Sequence, residues 1–227
     1  MTHDDARWPP APADPGCGCS AAAGPQASGR RTPNAEEPPS QRPEHFPHLL
    51  PELTDGAVLL RAWRPSDAVA LTAMARDEQC QRWCIGLPRP YSLPDAQHFI
   101  AVSKGAWELW GMARFAVVDA DDGALLASVA IKPIADEGGE IGYMAAAGAR
   151  GRGITAAALR VLAGWAFGQL GMKRLEALIQ PANQTSIRTA ERTGFTTSNH
   201  RRACCSITGE RRDHVVYELA APDPASH

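Results

Sequence analysis

Arg150-Gly151-Arg152-Gly153-Ile154-Thr155 is the stretch of this sequence best equipped for chemistry. Its two arginines bring charge and forked N–H donors that match phosphate. Its two glycines let backbone amides come close to a ligand. The residues after it, Ala156 to Phe167, are rich in helix formers and place Leu159, Leu162 and Ala166 on one face. The residues before it, Glu140 to Met144, alternate: Ile141 and Tyr143 point one way, Glu140, Gly142 and Met144 the other. A strand, a basic glycine turn and a helix start together build an anion site, because the first helical turn carries unpaired N–H groups and the positive end of the helix dipole. Solvated arginines on an ordinary surface turn have the same local sequence, so a second motif must identify the ligand.

Two ligands compete. Gly151 to Ala156 satisfies the dinucleotide pattern G-x-G-x-x-A, and Glu176 follows about twenty residues on, where a ribose-binding acid belongs. The context disagrees. Ala145 to Arg150 separate the glycines from the strand, Glu176 sits inside a strand-like run, and no second set of parallel units follows.

Arg150 to Thr155 instead resembles the pyrophosphate loop of the GNAT acetyltransferases, Q/R-x-x-G-x-G/A, with Arg150 and Gly153 matching and Thr155 in place of a small residue. Asn183-Gln184-Thr185-Ser186, followed by Gly194-Phe195, is similar to that family's N-x-x-S…G-F segment. With Trp165-Ala166-Phe167 and the strand Glu140-Ile141-Gly142-Tyr143, these motifs resemble the RimJ/RimL-like branch, which acetylates ribosomal-protein N-termini. The resemblance spans about residues 54–220.

The resemblance implies a mixed α/β (α+β) GNAT fold, with a central, mostly antiparallel sheet of about seven strands flanked by helices. It implies acetyl-CoA as co-substrate, with the pantetheine beside Met144 and Ala145 and the pyrophosphate on Arg150, Gly151, Arg152, Gly153, Ile154 and Thr155. Asn183 would hold the pantetheine arm, although an asparagine there also suits a helix N-cap. Glu140 is the candidate general base, acting directly or through a water, and a solvated strand-end carboxylate otherwise. Many family members carry a tyrosine that reprotonates the departing thiolate; the matching position here is Ala190. Ser186, one helical turn earlier on the same face, is the candidate acid in its place, with packing and local hydrogen bonding as its structural alternative. No metal is expected. The acceptor is a primary amine, with a protein N-terminal α-amine favoured and a small amine (antibiotic, amino acid or polyamine) the alternative; a non-catalytic acyl-CoA-binding module is the reading from another class. Arg82 to Tyr91, Trp107 to Trp110, and Arg201, Arg202, Arg211 and Arg212 are the segments expected to meet the acceptor.

The chain has 227 residues and a formal net charge of −2. Near-neutral charge gives no reason to expect nucleic acid or a membrane surface as partner. No apolar run reaches about eighteen residues, and the N-terminus shows no charged-then-apolar leader, so neither a transmembrane helix nor a secretory signal is expected; the protein is expected in the cytoplasm, as a monomer or homodimer. The six cysteines, including the Cys17/Cys19 pair, Cys80, Cys84 and the neighbours Cys204 and Cys205, form no metal frame and read as free thiols.

These motifs need elements to hold them. Residues 1–45 are crowded with Pro, Ala, Gly and Ser and are expected to be a disordered tail, since they hold too little apolar surface to offset their ordering entropy. The catalytic domain is expected over 46–222, with 223–227 a short tail. Folding is expected to begin near Thr54. The order predicted is a strand at Ala57–Trp63, helices from Arg64, Asp77 and Pro94, strands at Met112–Val118 and Leu125–Ile134, the central strand and helix, a strand at Arg174–Gln180, a helix at Thr185–Thr193 stopped by Gly194, and two closing strands around Thr208-Gly209.

Overall fold

The computed structural model of the chain describes residues 41–205 and 211–223; the expected tail before residue 41, with Cys17 and Cys19, the Thr208-Gly209 turn and the last four residues lie outside them. Eight strands form one sheet in the order β1-β2-β3-β4-β5-β6-β8-β7. They are β1 (Leu53–Thr54), β2 (Val58–Ala62), β3 (Ala113–Asp119), β4 (Leu125–Ile134), β5 (Gly138–Ala145), β6 (Arg174–Ile179), β7 (Thr196–Cys205) and β8 (Arg211–Ala220). Among the described residues five α-helices accompany them: α1 (Ala68–Arg76), α2 (Glu78–Trp83), α3 (Leu93–Trp110), α4 (Ile154–Gly168) and α5 (Gln184–Arg192). The sheet is mixed and mostly antiparallel, as expected; the extra strand is the two-residue β1, paired Leu53↔Leu60 and Thr54↔Leu59.

The sheet buries both faces. Ala113, Phe115 and Val117 of β3 point to one side, where they meet Leu159, Leu162 and Trp165 of α4. Ala116 and Val118 point to the other, where they meet Leu71 and Met74 of α1 and Ile100 of α3. The alternation in β3 is therefore apolar on both faces, as a strand between two helical layers requires. β5 keeps the same parity: Ile141 and Tyr143 lie on the α4 side, and Met144 packs on the α1–α3 side.

Strands β1 to β5 are antiparallel neighbours. β5 and β6 are parallel, connected through α4, and their pairing covers Gly138↔Arg174 to Ile141↔Ala177. It stops there, although β5 runs on to Ala145 and β6 to Ile179. The two strands part at their C-terminal ends, and that gap positions everything below.

Two local features hold the frame. Ser92 and Asp95 form a reciprocal capping box at the start of α3, and Gly111 ends that helix in the left-handed region at φ 66°. Ahead of β1, packing reaches back further than Thr54. Arg42 N donates to Leu109 O at 2.8 Å, Phe46 stacks on Trp107 at 5.8 Å, and a His45 ring nitrogen lies 3.0 Å from Leu170 O.

Arg61 and Asp67 make a bidentate pair at 2.8 and 2.9 Å with both side chains over 90 % buried, and Asp67 Oδ2 also accepts from Arg64 N. Burial alone would raise the Asp67 pKa, but the Arg61 guanidinium and the Arg64 amide outweigh it, and the carboxyl lies below its usual value. Asp67→Ala is expected to cost about 3–5 kcal/mol, because it strands a buried guanidinium. A depressed carboxyl contributes stability that is present above its unfolded pKa and lost as pH falls through the folded one. Against Asp67→Asn, the native chain's advantage in thermal unfolding is therefore expected to be constant above about pH 5 and to shrink below about pH 4. A pH-independent difference would show that the ion pair is not its source.

Candidate active site

The gap between β5 and β6 opens into a cleft of about 350 Å³. Tyr143, Met144 and Ala145 from the end of β5 form its floor, and Arg150, Gly151, Gly153, Ile154, Thr155 and Ala156 form one end. α5 and its N-cap supply Asn183, Thr185, Ser186, Arg188, Thr189 and Arg192; α2 and its C-cap supply Gln79, Cys80, Trp83 and Cys84 opposite.

At the loop end, Gly151 and Gly153 take φ of 75° and 81°, a region open to glycine at little cost. Gly153 is the N-cap of α4 and no side chain caps that helix. The first turn's amides thus face the cleft without a protein acceptor from a side chain, as an anion site needs.

Arg150 lines the cleft, but its guanidinium is committed elsewhere. Nη2 donates to Asp77 Oδ1 in a short contact, to Ala145 O at 3.0 Å and to Cys80 Sγ at 3.6 Å. Asp77 is the N-cap of α2, accepting from the Gln79 and Cys80 amides, and the Arg150 hydrogen bond first of all holds its carboxyl below the usual range. Arg150 therefore ties the loop to α2. At the other end of α2, Gln180 Nε2 donates to Trp83 O at 3.1 Å and Arg212 Nη1 to Arg82 O at 2.7 Å. α2 is moored across the C-terminal ends of β5 and β6 and onto β8. Of the loop's two arginines, Arg152 is the exposed one, at the rim.

On the far wall, Asn183 Oδ1 accepts from Ser186 N at 3.1 Å, so Asn183 is the N-cap of α5 as well as a lining residue. Ser186 Oγ lies 2.7 Å from Tyr143 Oη, and that hydroxyl also donates to Ser186 O at 3.2 Å. Burial pushes the Tyr143 pKa up to about 12, against the opposing Ser186 hydrogen bond. Tyr143 thus keeps its proton throughout the neutral range. Burial likewise pushes the Cys84 thiol up to about 12 and raises that of Cys80, so both are neutral thiols there.

Glu140 stands outside the cleft lining, on the opposite face of β5 from Tyr143. Its two oxygens meet Lys132 Nζ at 3.0 Å and Arg202 Nη1 at 3.3 Å. Arg202 Nη2 also bonds Glu176 Oε2 at 3.1 Å, and Glu176 is Glu140's register partner on β6. Glu140 is therefore paired rather than a solvated strand-end carboxylate.

The structure thus gathers Met144, Ala145, Arg150, Gly151, Gly153, Ile154, Thr155, Asn183 and Ser186 around one cleft, with Arg152 at its rim and Glu140 beyond it. Trp83 and Cys84 of the α2 wall fall in the expected Arg82–Tyr91 segment; sequence reasoning missed Gln79, Cys80, Arg188 and Arg192. The spacing Thr185, Arg188, Thr189, Arg192 marks a single helical face and was the available signal for the two arginines. Among the described residues no cluster of three His, Cys, Asp or Glu side chains could hold a metal, and no helix is long and apolar enough to cross a membrane.

Known proteins share part of this sequence and this fold. Residues 57–196 match the family model described as Acetyltransferase (GNAT) domain. A Bacillus subtilis (strain 168) protein named Probable N-acetyltransferase YjcK is 32% identical over 113 residues, which cover 48% of this chain and 62% of that relative. Among solved structures, Mycobacterium smegmatis RimJ in complex with CoA-disulfide superposes with a TM-score of 0.63 at 22% identity, covering 75% of this chain and 86% of that one. The ribosomal-protein-S5-alanine acetyltransferase from Vibrio fischeri gives 0.60 at 18% identity, covering 77% and 98%. At such identities the two structures speak for the fold. The sequence match over 57–196 goes further: the chain belongs to the GNAT acetyltransferase family.

Proposed function

We propose that the protein transfers the acetyl group of acetyl-CoA to a primary amine, and that the favoured acceptor is a protein N-terminal α-amine. The observation that carries this is the parting of β5 and β6 directly beside an uncapped, glycine-led helix start. One opening offers amides for a pyrophosphate and an extended strand edge for the pantetheine. The favoured acceptor is supported by the likeness in fold to proteins named RimJ and ribosomal-protein-S5-alanine acetyltransferase.

The thioester is already activated, so the protein's work is placement, charge stabilisation and proton movement. The amine forms a C–N bond to the acyl carbon, the C–S bond breaks, and the CoA thiolate needs a proton. Ser186 supplies it from Oγ, and Tyr143 stands behind Ser186 at 2.7 Å to replace it. The family's usual tyrosine position is Ala190, and Tyr143 brings a phenol to the serine from the strand side instead. Glu140 receives the proton lost by the amine through water; Lys132 and Arg202 fix the position of its two oxygens. The unpaired thiols of Cys80 and Cys84 suit a reducing compartment, and the cytoplasm is the proposed setting.

The test is thiol release from acetyl-CoA across a panel of N-terminal peptides and small amines. Turnover with peptides above small amines supports the favoured acceptor. Tight CoA binding with no turnover on any amine would replace the enzyme with a binding module.

A further inference from the structure

Arg114 on β3 has no hydrogen-bond or ion-pair partner among the described residues; its one contact of note is the Phe99 ring, 5.1 Å from Cζ to the centroid. Four other arginines packed against the fold are paired with carboxylates: Arg61 with Asp67, Arg150 with Asp77, Arg174 and Arg202 with Glu176. Arg114 is half-buried, and burial draws its pKa below the usual arginine value with no carboxylate to offset it. An unpaired guanidinium in such a place costs stability, and costs of this kind are retained at sites of function.

The surroundings show what it faces. Arg114 shares the α1–α3 side of the sheet with Ala116, Val118 and Met144. Across the sheet its row runs Arg114↔Ala130↔Gly142. None of the three is fully buried; Gly142 is exposed although it lies mid-sheet, and nothing stands within 4 Å of a Cβ built there. The helices therefore leave the Gly142 end of this row uncovered, while Phe99 of α3 lies over the Arg114 end. Gly142 lies two residues from Met144 on the same face of β5, and Met144 lines the cleft, so the row runs from Arg114 toward where the thioester would sit.

We propose that Arg114 anchors the acceptor by binding an oxyanion, in the first place a carboxylate, carried by the same molecule as the amine. This rests on the acetyl-transfer reading above. Arg114 and Gly142 are two strand spacings apart, about 10 Å, so with the arginine reaching inward the oxyanion and the amine are separated by no more than an amino acid or a short dipeptide unit. A free amino acid supplies that group from its own α-carboxylate; a protein N-terminus supplies it from an acidic side chain in its first residues. The glutamates nearby, Glu140 and Glu176, are occupied by Lys132, Arg174 and Arg202 and do not compete for Arg114.

The experiment compares the native chain, Arg114→Met and Arg114→Lys. Acceptors are matched pairs: amino acids against their amides, the dipeptide amides Ala-Asp-NH2 against Ala-Asn-NH2, and phosphoethanolamine against ethanolamine. The native chain is expected to prefer the anionic member of a pair at least tenfold in kcat/KM. Arg114→Met is expected to lose that preference mainly through KM, and Arg114→Lys to keep part of it. CoA affinity should be unchanged, and the Tm of Arg114→Met should equal or exceed that of the native chain, whereas a merely structural arginine would lower it. Independently of turnover, the preferred anion should slow phenylglyoxal labelling of Arg114, followed by mass spectrometry. Preference for phosphoethanolamine over the carboxylates assigns a phosphate as the oxyanion. If Arg114→Met keeps the native preference, or no anion slows the labelling, the proposal is overturned. A native chain that fails to bind CoA by calorimetry sinks the acetyl-transfer reading, and the labelling result then still decides Arg114.

Discussion

Gly153→Trp is expected to weaken CoA binding at least a hundredfold, with the domain still folded. Gly153 caps α4 at φ 81° and is exposed, and a Cβ added to it would meet no atom within 4 Å. The space there is open, and it is the space through which a pyrophosphate would reach the amides of the first turn. An indole placed over those amides removes the contacts and the dipole's access together, a loss of about 2.7 kcal/mol or more. A left-handed backbone at a non-glycine residue costs about 1–2 kcal/mol by itself, so Gly153→Ala is the control. It carries the strain without the bulk and should bind CoA far better than the tryptophan variant. Arg152→Glu, at the rim, should weaken binding about tenfold by repelling the phosphates, and less so at high salt. Calorimetry decides both. Unchanged affinity in Gly153→Trp and Arg152→Glu would remove the loop from the binding site, and tight NAD binding would restore the dinucleotide alternative.

Ser186→Ala is expected to lower kcat tenfold or more with little change in CoA affinity, because a proton donor to the leaving thiolate acts in the transition state and not in ground-state binding. Tyr143→Phe should have a comparable effect through Ser186. The double variant should be scarcely worse than the more damaged single one, since the two hydroxyls share one path at 2.7 Å. With the Tyr143 pKa near 12, ionisation of that phenol should leave the rate untouched until roughly pH 11. Ala190→Tyr, which would restore the family's usual tyrosine position, is expected to destabilise instead of rescue. Ala190 is 1% exposed within the α4-side core and has no room for a ring. A native rate in Ser186→Ala would leave the thiolate to take its proton from water.

What could be read from the sequence was what the chain decides locally. Leu125–Ile134 was legible as a strand to the residue, and the glycine turn, the α4 face and the Asn183 cap all lie within a few positions of their own signals. Contacts between distant segments were not legible. Nothing near Arg150 says that its guanidinium will bond Asp77, 73 positions away, and nothing near Tyr143 says that its hydroxyl will find Ser186. Phe46 was hidden for another reason: a single aromatic after a proline-rich run carries no period, yet it is buried against Trp107. Glu140 was legible as a carboxylate on an alternating strand, but its cations come from β4 and β7, and only the sheet order brings them there.

The mooring of α2 bears on how this chain could be altered. Residues 78–83 hang between three anchors: the Asp77–Arg150 pair, Gln180 on Trp83 O, and Arg212 on Arg82 O. Anyone wishing to transplant a different wall here, to admit a bulkier acyl chain or another acceptor, would be exchanging a part bolted to the phosphate loop. A graft that omits the carboxylate at position 77 would leave Arg150 without its carboxylate partner beside the proposed cosubstrate loop. The smallest exchangeable cassette therefore begins at Asp77 and not at the helix itself.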